Sequence, residues 1–329
     1  MPAPSSDSNS ATATHADEAS GAATQLRTLD LAGRAVLLAT DGSPAALAAA
    51  RLASELASAH HARIHVVSVV DTRSAPLVPP LDMALALGDV VSGEGIHEEQ
   101  KNEIRQQLSA AIGASIDWPV RVMLGTPATS IVREAHRVGA ALVILGLRRH
   151  GRVDRAVHDE TTLNVMRSAS CPVLGVVAEM QALPRRVLSA VDFSDGSLLA
   201  VRGGKAVAHE GAVLVLAYVH PLNGFLDDEG ECRIHDMGVT AGFAKLATEL
   251  GDEAVKFDHV VLHHAPSQSR AQSILEYADE IGADLITAGS VQHSRLDRWM
   301  VGSVSGELVR DGRRSVLVVP PRRHVSGIA

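Results

Sequence analysis

The chain carries the same series of residues twice. Asp41 and Asp192 stand 151 residues apart, each closing a short apolar run and each followed two residues later by a serine. Val69 and Val219 are 150 apart, and Gly146 and Gly289 are 143 apart, so the second copy is shorter in its middle. From Gly146 onward no gap is needed: His150, Arg152, Asp154, Arg155 and Arg167 fall on His293, Arg295, Asp297, Arg298 and Arg310. Five polar identities in one register do not arise by chance, and they make the chain a tandem repeat. At about 100–200 residues per domain, 329 residues divide into two. The join falls near Glu179–Pro184, giving expected domains at 31–180 and 181–329.

Within each copy, short runs rich in Val, Ile and Leu alternate with amphipathic helical patterns. The runs are Val36–Thr40, Ile64–Val70, Val120–Leu124, Ala141–Leu145 and Val173–Val177 in the first copy. In the second they are Val187–Val191, Val213–Val219, His259–Leu262, Asp284–Ala288 and Val316–Val319. Runs apolar at nearly every position are what strands buried on both faces of a parallel sheet require. Helical patterns between them, such as Pro44–Ala59 and Thr129–Val138, supply right-handed crossovers. Residues 1–30 are Ser-, Ala- and Thr-rich with no apolar period, and Asp7, Asp17 and Glu18 precede the first basic residue, Arg27. They read as a disordered tail rather than a secretory signal.

Charge and cysteine usage remove several classes. With 30 Lys and Arg against 38 Asp and Glu, the net charge of −8 argues against binding nucleic acid through its phosphates. The longest apolar stretch, Gly139 to Leu147, stops at Arg148, well short of the ~20 residues of a membrane span. Cys171 and Cys232 have no paired spacing for a disulfide framework or a zinc site, so a reduced, cytoplasmic compartment is expected. The acidic stretches, Asp89, Glu94, Glu98 and Glu99 in the first copy and Asp227, Asp228, Glu229 and Glu231 in the second, differ in spacing and read as solvated loops or helix starts rather than a divalent-cation site. His60-His61 and His263-His264 are adjacent pairs whose rings splay, so they read as surface positions rather than metal ligands. Cys171 has no basic neighbour in sequence to activate it.

Two elements carry chemistry. The first is a strand ending in Asp with a capping hydroxyl two residues on, Asp41-Gly42-Ser43 and Asp192-Phe193-Ser194. An Asp at the carboxyl end of a buried parallel strand either caps the next helix or sits where open α/β sheets bind ligands. The second is Gly289-Ser290-Val291-Gln292, then nine residues, then Gly302-Ser303-Val304-Ser305 opening a helix. A glycine after a strand lets a phosphate approach the backbone, and a small pair at a helix start offers unpaired N–H groups to an anion.

With these elements in a repeat, residues 33–321 resemble a tandem universal stress protein of the adenine nucleotide alpha hydrolase-like superfamily. The resemblance implies an α/β fold of two tandem Rossmann-like open-sheet domains, each a five-stranded, mostly parallel sheet flanked by helices on both faces. It implies that the domains pair through their fifth strands as an intramolecular pseudo-dimer, with a further homodimer left open. In the second copy it implies that Asp192 and the backbone of Val219 contact the adenosine part, that Gly289, Gly302, Ser303 and Ser305 cradle the phosphates of ATP, with or without Mg²⁺, and that Phe193, Ser194 and Val304 belong to the same site. In the first copy the matching residues are Asp41, Ser43, Val69, Gly125, Gly146, Gly151, Thr161 and Thr162.

The copies depart from the family pattern in different places. Its second glycine is Arg149 in the first copy and Gln292 in the second, and Gly302-Ser303 aligns with Asp159-Glu160. A carboxylate about 4 Å from a phosphate costs roughly 4 kcal/mol at an effective dielectric near 20. A two-residue slip, placing Gly151 ahead of Thr161-Thr162, would give the first copy a looser site. In the second copy Gly125-Thr126-Pro127 becomes His264-Ala265-Pro266, with extra residues after it. The expectation is therefore a stress-responsive sensor or regulatory module binding adenine nucleotide chiefly in its C-terminal copy, with slow ATP hydrolysis at most. The alternatives are a nucleotide-free interaction scaffold and, third, an adenylate-transferring enzyme.

Overall fold

Val36, Leu37 and Leu38 are wholly excluded from solvent, as a run with no polar face must be when helices cover both sides of a parallel strand. In the computed structural model they form β1 (Ala35–Ala39). Residues 29–71, 94–147, 159–221, 229–251, 257–265, 267–290, 302–311 and 313–321 are described by the structure; the expectation of a disordered tail falls on 1–28, outside them. Leu29, which the sequence pattern leaves in that tail, is half-buried against the core, and Leu31 is fully buried.

The first half continues through α1 (Pro44–His60), β2 (Arg63–Asp71), α2 (Glu94–Ile112), β3 (Val120–Gly125), α3 (Pro127–Val138), β4 (Leu142–Gly146), α4 (Asp159–Ser168) and β5 (Val173–Val176). The second half follows the same plan: β6 (Arg186–Val191), α5 (Asp195–Val207), β7 (Val213–Val219), α6 (Glu229–Leu250), β8 (Phe257–Leu262), α7 (Arg270–Glu280), β9 (Leu285–Gly289), α8 (Ser303–Asp311) and β10 (Ser315–Val319). Helix α3 begins two residues before the Thr129 of the helical pattern because Pro127, with its preset φ and no N–H to satisfy, occupies the first turn.

The strands form one ten-stranded sheet in the order β3-β2-β1-β4-β5-β10-β9-β6-β7-β8. Pairing inside each half is parallel. Only β5 and β10, with Leu174 opposite Leu317, run antiparallel. Each half thus has the same 3-2-1-4-5 order, with its switch point between the first and fourth strands. Since β5 and β10 run in opposite directions, the two sets of strand carboxyl ends lie at opposite edges of the sheet. A ligand at one set cannot crowd a ligand at the other.

The repeat extends to helix contacts. Arg51 of α1 donates Nε–H to the Ala111 carbonyl (2.8 Å), and Arg202 of α5, 151 residues on, bonds the Glu249 carbonyl near the end of α6. Arg51 also reaches Gln181 of the linker (2.9 Å), and Glu55 accepts the Leu183 N–H (3.0 Å), pinning the linker to α1. At the seam, the Ser315 hydroxyl accepts from Val177 N–H (3.2 Å) and contacts Met180 Sδ (3.1 Å).

Candidate functional site

Each first strand ends in a turn built by its aspartate. Ser43 N–H donates to Asp41 Oδ1, and Ser194 N–H to Asp192 Oδ1, both at 3.0 Å. The serine hydroxyls then cap the helices, Ser43 Oγ accepting from Ala46 N–H (3.3 Å) and Ser194 Oγ from Ser197 N–H (3.2 Å). Asp192 also accepts the Ser194 hydroxyl on Oδ1, so its Oδ2 carries no hydrogen bond among the described residues. The aspartate thus shapes the turn through one oxygen and leaves the helix cap to the serine, and the Asp192 side chain is exposed.

The residue between aspartate and serine must turn left-handed, with φ 71° at Gly42 and 63° at Phe193. Glycine does so without cost, whereas an L-residue gives up roughly 1–2 kcal/mol. Phe193 offsets this with aromatic packing: its ring stacks on Tyr218 (centroids 4.9 Å apart) and meets the edge of Phe243 (5.1 Å). Gly242 of α6 leaves room for that ring, since any Cβ there would stand 2.6 Å from it. In the first half the bulk is exchanged, Gln107 of α2 lying 3.1 Å from where Gly42 would carry a Cβ. Phe193, expected among the nucleotide-binding residues, thus points into the layer between strand and helix and does not line the cleft.

The other C-terminal candidates converge. Asp192, Ser194, Val219, Gly289, Gly302, Ser303, Val304 and Ser305 all line one cleft of about 580 Å³, at the carboxyl ends of β6, β7 and β9 and the first turns of α5, α7 and α8. This is the switch point where open α/β sheets take ligands. Gly302 accepts from the Gly306 N–H (2.9 Å) and has no side chain, so among the described residues nothing caps the first-turn N–H groups of α8. Ser305 is buried, and its hydroxyl donates to the Gly289 carbonyl (3.2 Å). In the first half Thr162 bonds Gly146 in the same way at 3.3 Å. These hydroxyls hold the helix start over the strand end. Ser290, 5% exposed and also lining the cleft, has an Oγ with no hydrogen-bond partner among the described residues. An orphaned buried hydroxyl is costly and asks for a ligand oxygen or water.

Two residues missed by the motif complete the wall, Tyr218 and Arg270. Burial pushes the Tyr218 phenol above its usual range, with Arg270 drawing it back and Asp192 adding to the rise. Arg270 escaped notice because the extra residues were expected after Pro266. Strand pairing bears out Gly125 level with His264, but the N-cap residue of the helix that follows is Thr126 in one half and Ser269 in the other, 143 residues apart. The inserted residues therefore precede the helix, and Arg270, not Pro266, stands where the first half has Pro127. Extending the ungapped register upstream through Gly139 and Gly282 would have found it.

In the first half, Asp41 and Ser43 form the turn described and Val69 is half-buried near the end of β2. Gly125 follows with φ 142° and Ser130 Oγ 3.1 Å from its missing Cβ, while Thr161 is half-buried beside buried Thr162. Gly151, like Arg149 and Gln292, lies outside the described residues, as do the side chains of Asp159 and Glu160. Cys171 has a thiol pushed up to about 11 by burial, which leaves it unreactive at neutral pH. His61 ends α1 in a left-handed conformation, and His263 stacks on His220 (5.3 Å). No helix among the described residues is long and apolar enough to cross a membrane.

Comparison with known proteins agrees with this geometry. The model of the universal stress protein family matches residues 33–176 and again 184–320. A universal stress protein of Mycolicibacterium smegmatis is 26% identical over 304 residues, covering 87% of this chain and 97% of its own. One from Methanocaldococcus jannaschii is 30% identical over 145 residues, 43% of this chain and 80% of its own. The crystal structure of a universal stress protein from Archaeoglobus fulgidus superposes with a TM-score of 0.60 at 21% identity, covering 88% of this chain and 98% of that one. The chain belongs to the universal stress protein family.

Proposed function

We propose that this member of the universal stress protein family binds an adenine nucleotide, ATP foremost, in the C-terminal cleft and acts as a sensor or regulatory module rather than a catalyst. The observation that supports the reading is the first turn of α8 at Gly302 and the Ser290 hydroxyl, which line one cleft and have no capping or hydrogen-bonding side chain among the described residues. A volume of about 580 Å³ is in the range of nucleotide-sized pockets. The strand-end aspartate Asp192 would accept from a ribose hydroxyl, and the end of β7 at Val219 would offer backbone groups to the base. Mg²⁺, where present, would ride on the ligand's phosphates.

The domain division at 31–180 and 181–329 belongs to the same reading. So does a pseudo-dimer within one chain, supported by the β5–β10 pairing, and a cytoplasmic setting. The N-terminal half would serve as a partner and scaffold for the C-terminal one. Native mass spectrometry of protein purified without added ligand tests the proposal. An adduct of nucleotide mass, released on denaturation and identified as ATP or a relative, is the expected result. Apo protein that also fails to take up ATP added in excess would overturn it and favour the scaffold.

A further inference from the structure

Helix α7 opens with a conflict. Ser269 and Gln272 cap it reciprocally, the Ser269 hydroxyl accepting from Gln272 N–H (3.1 Å) and the Gln272 side chain from Ser269 N–H (2.9 Å). The first residue inside this well-made start is Arg270, a cation placed against the positive end of the helix dipole. The first half has proline there, the residue the position favours. Arg270 is exposed and forms no hydrogen bond or ion pair among the described residues, although Asp192 and Asp195 line the same cleft. Among the described residues it is also the sole Lys or Arg lining the cleft. A residue type that local rules disfavour, held unpaired on a cleft wall, is explained by what the cleft holds.

Resting on the nucleotide reading above, we infer that Arg270 is the specificity-determining cation of the cleft: its guanidinium pairs with an anionic oxygen of the bound nucleotide, so the site takes phosphorylated adenosine and discriminates against neutral adenosine. The planar fork of arginine suits a phosphate oxygen pair. Helix α8 begins beyond the end of β9, and Arg270 opens the neighbouring helix α7, which packs against both α8 and β7. Tyr218 senses both Arg270 and Asp192, which places the guanidinium within electrostatic reach of the strand-end turn.

Titration calorimetry on the full chain, with adenosine, AMP and ATP against wild type, Arg270→Ala and Arg270→Lys, tests the inference. Arg270→Ala is expected to weaken AMP and ATP by about tenfold or more and adenosine by less than about twofold, with Arg270→Lys between. Raising salt should weaken AMP binding more steeply in wild type than in Arg270→Ala. The ligand-free melting temperature of Arg270→Ala should equal or exceed that of wild type, because the dipole conflict is gone. Equal losses for adenosine and AMP, no loss at all, or a lowered ligand-free melting temperature would overturn the inference while leaving nucleotide binding standing. Wild-type protein that binds none of the three ligands would overturn both.

Discussion

A side-chain carbon on Gly289 would lie 2.7 Å from both the carbonyl carbon and the carbonyl oxygen of Gly196. The glycine at the end of β9 is thus required by the first turn of α5, which crosses it, before any ligand is considered. Gly146 stands in the same relation to Ala46 N, at 2.6 Å, and to the Ala45 carbonyl carbon, at 2.9 Å. The motif glycine brings helix and strand together and so sets the depth of the cleft. Both neighbours are backbone and cannot rotate away. Gly289→Ala is therefore expected to destabilise the ligand-free protein by about 1–3 kcal/mol, the usual cost of overpacking, read from a urea midpoint. Unchanged stability with lost nucleotide binding would instead assign the glycine to the ligand.

The exchange of bulk between Phe193–Gly242 and Gly42–Gln107 makes a second test. Phe193→Gly relieves a left-handed L-residue but empties an aromatic cluster that continues through Phe243 to His259 (4.5 Å). Since packing loss of about 2–4 kcal/mol exceeds strain relief of about 1–2 kcal/mol, the single variant should be less stable. Adding Gly242→Ile, the residue at the matching place in the first half (Ile104, with Ala111 level with Glu249), should recover part of the loss. A double-mutant cycle with no coupling between the two sites would refute the exchange.

The first half holds a buried carboxylate that the second lacks. Glu134, 2% exposed, accepts from Arg137 Nη2 (2.7 Å) and Nε (2.9 Å) and from Arg121 (3.2 Å); the matching residue in the second half is Tyr277. The Arg137 hydrogen bonds hold the Glu134 carboxyl below its usual range, against the opposing effect of burial. A depressed folded-state value means the contribution is complete above the unfolded value near 4.5 and is lost as pH falls through the folded one. Glu134→Gln should cost about 1–3 kcal/mol at pH 7. The gap to wild type should close progressively below pH 4.5, followed by thermal melts across pH. A gap that persists at pH 3 would mean shape rather than charge holds the site.

Much of the fold was legible because it rests on repetition and on strand runs with no polar face, both properties of the linear sequence. The helix starts at Ser43-Pro44 and Ser194 were legible for the same reason, since capping is local. What escaped depends on contacts between distant segments. Nothing near Phe193 announces that it turns inward, because the space it fills is opened by Gly242, roughly fifty residues on. The hydrogen bond between Ser189 and Thr287 (2.8 Å), wholly buried between β6 and β9, looks in sequence like two weak spots in apolar strands. Arg270 was hidden by an insertion whose position the strand pairing and the Ser269 cap fix.

The last expectation is unequal occupancy of the two halves. The C-terminal cleft brings Asp192, Gly289, Gly302 and Ser303 to one place and adds Ser290 and Arg270. The N-terminal half keeps the turn at Asp41 and the Thr162–Gly146 bond, but its helix α4 opens with Asp159 and Glu160 where α8 has Gly302 and Ser303. Acidic residues at a helix start suit the dipole but repel phosphate, so α4 is expected to exclude it. A carboxylate close to a phosphate costs about 4 kcal/mol at an effective dielectric near 20, against about 1.5–3 kcal/mol returned by one charge-assisted hydrogen bond. Calorimetry should therefore find at most one tight ATP site per chain. Gly302→Asp should abolish it, whereas the pair Asp159→Gly and Glu160→Ser should leave it intact or add a second, at some cost to α4. Two equal sites in the native chain, or binding unchanged by Gly302→Asp, would place the pocket in the other half.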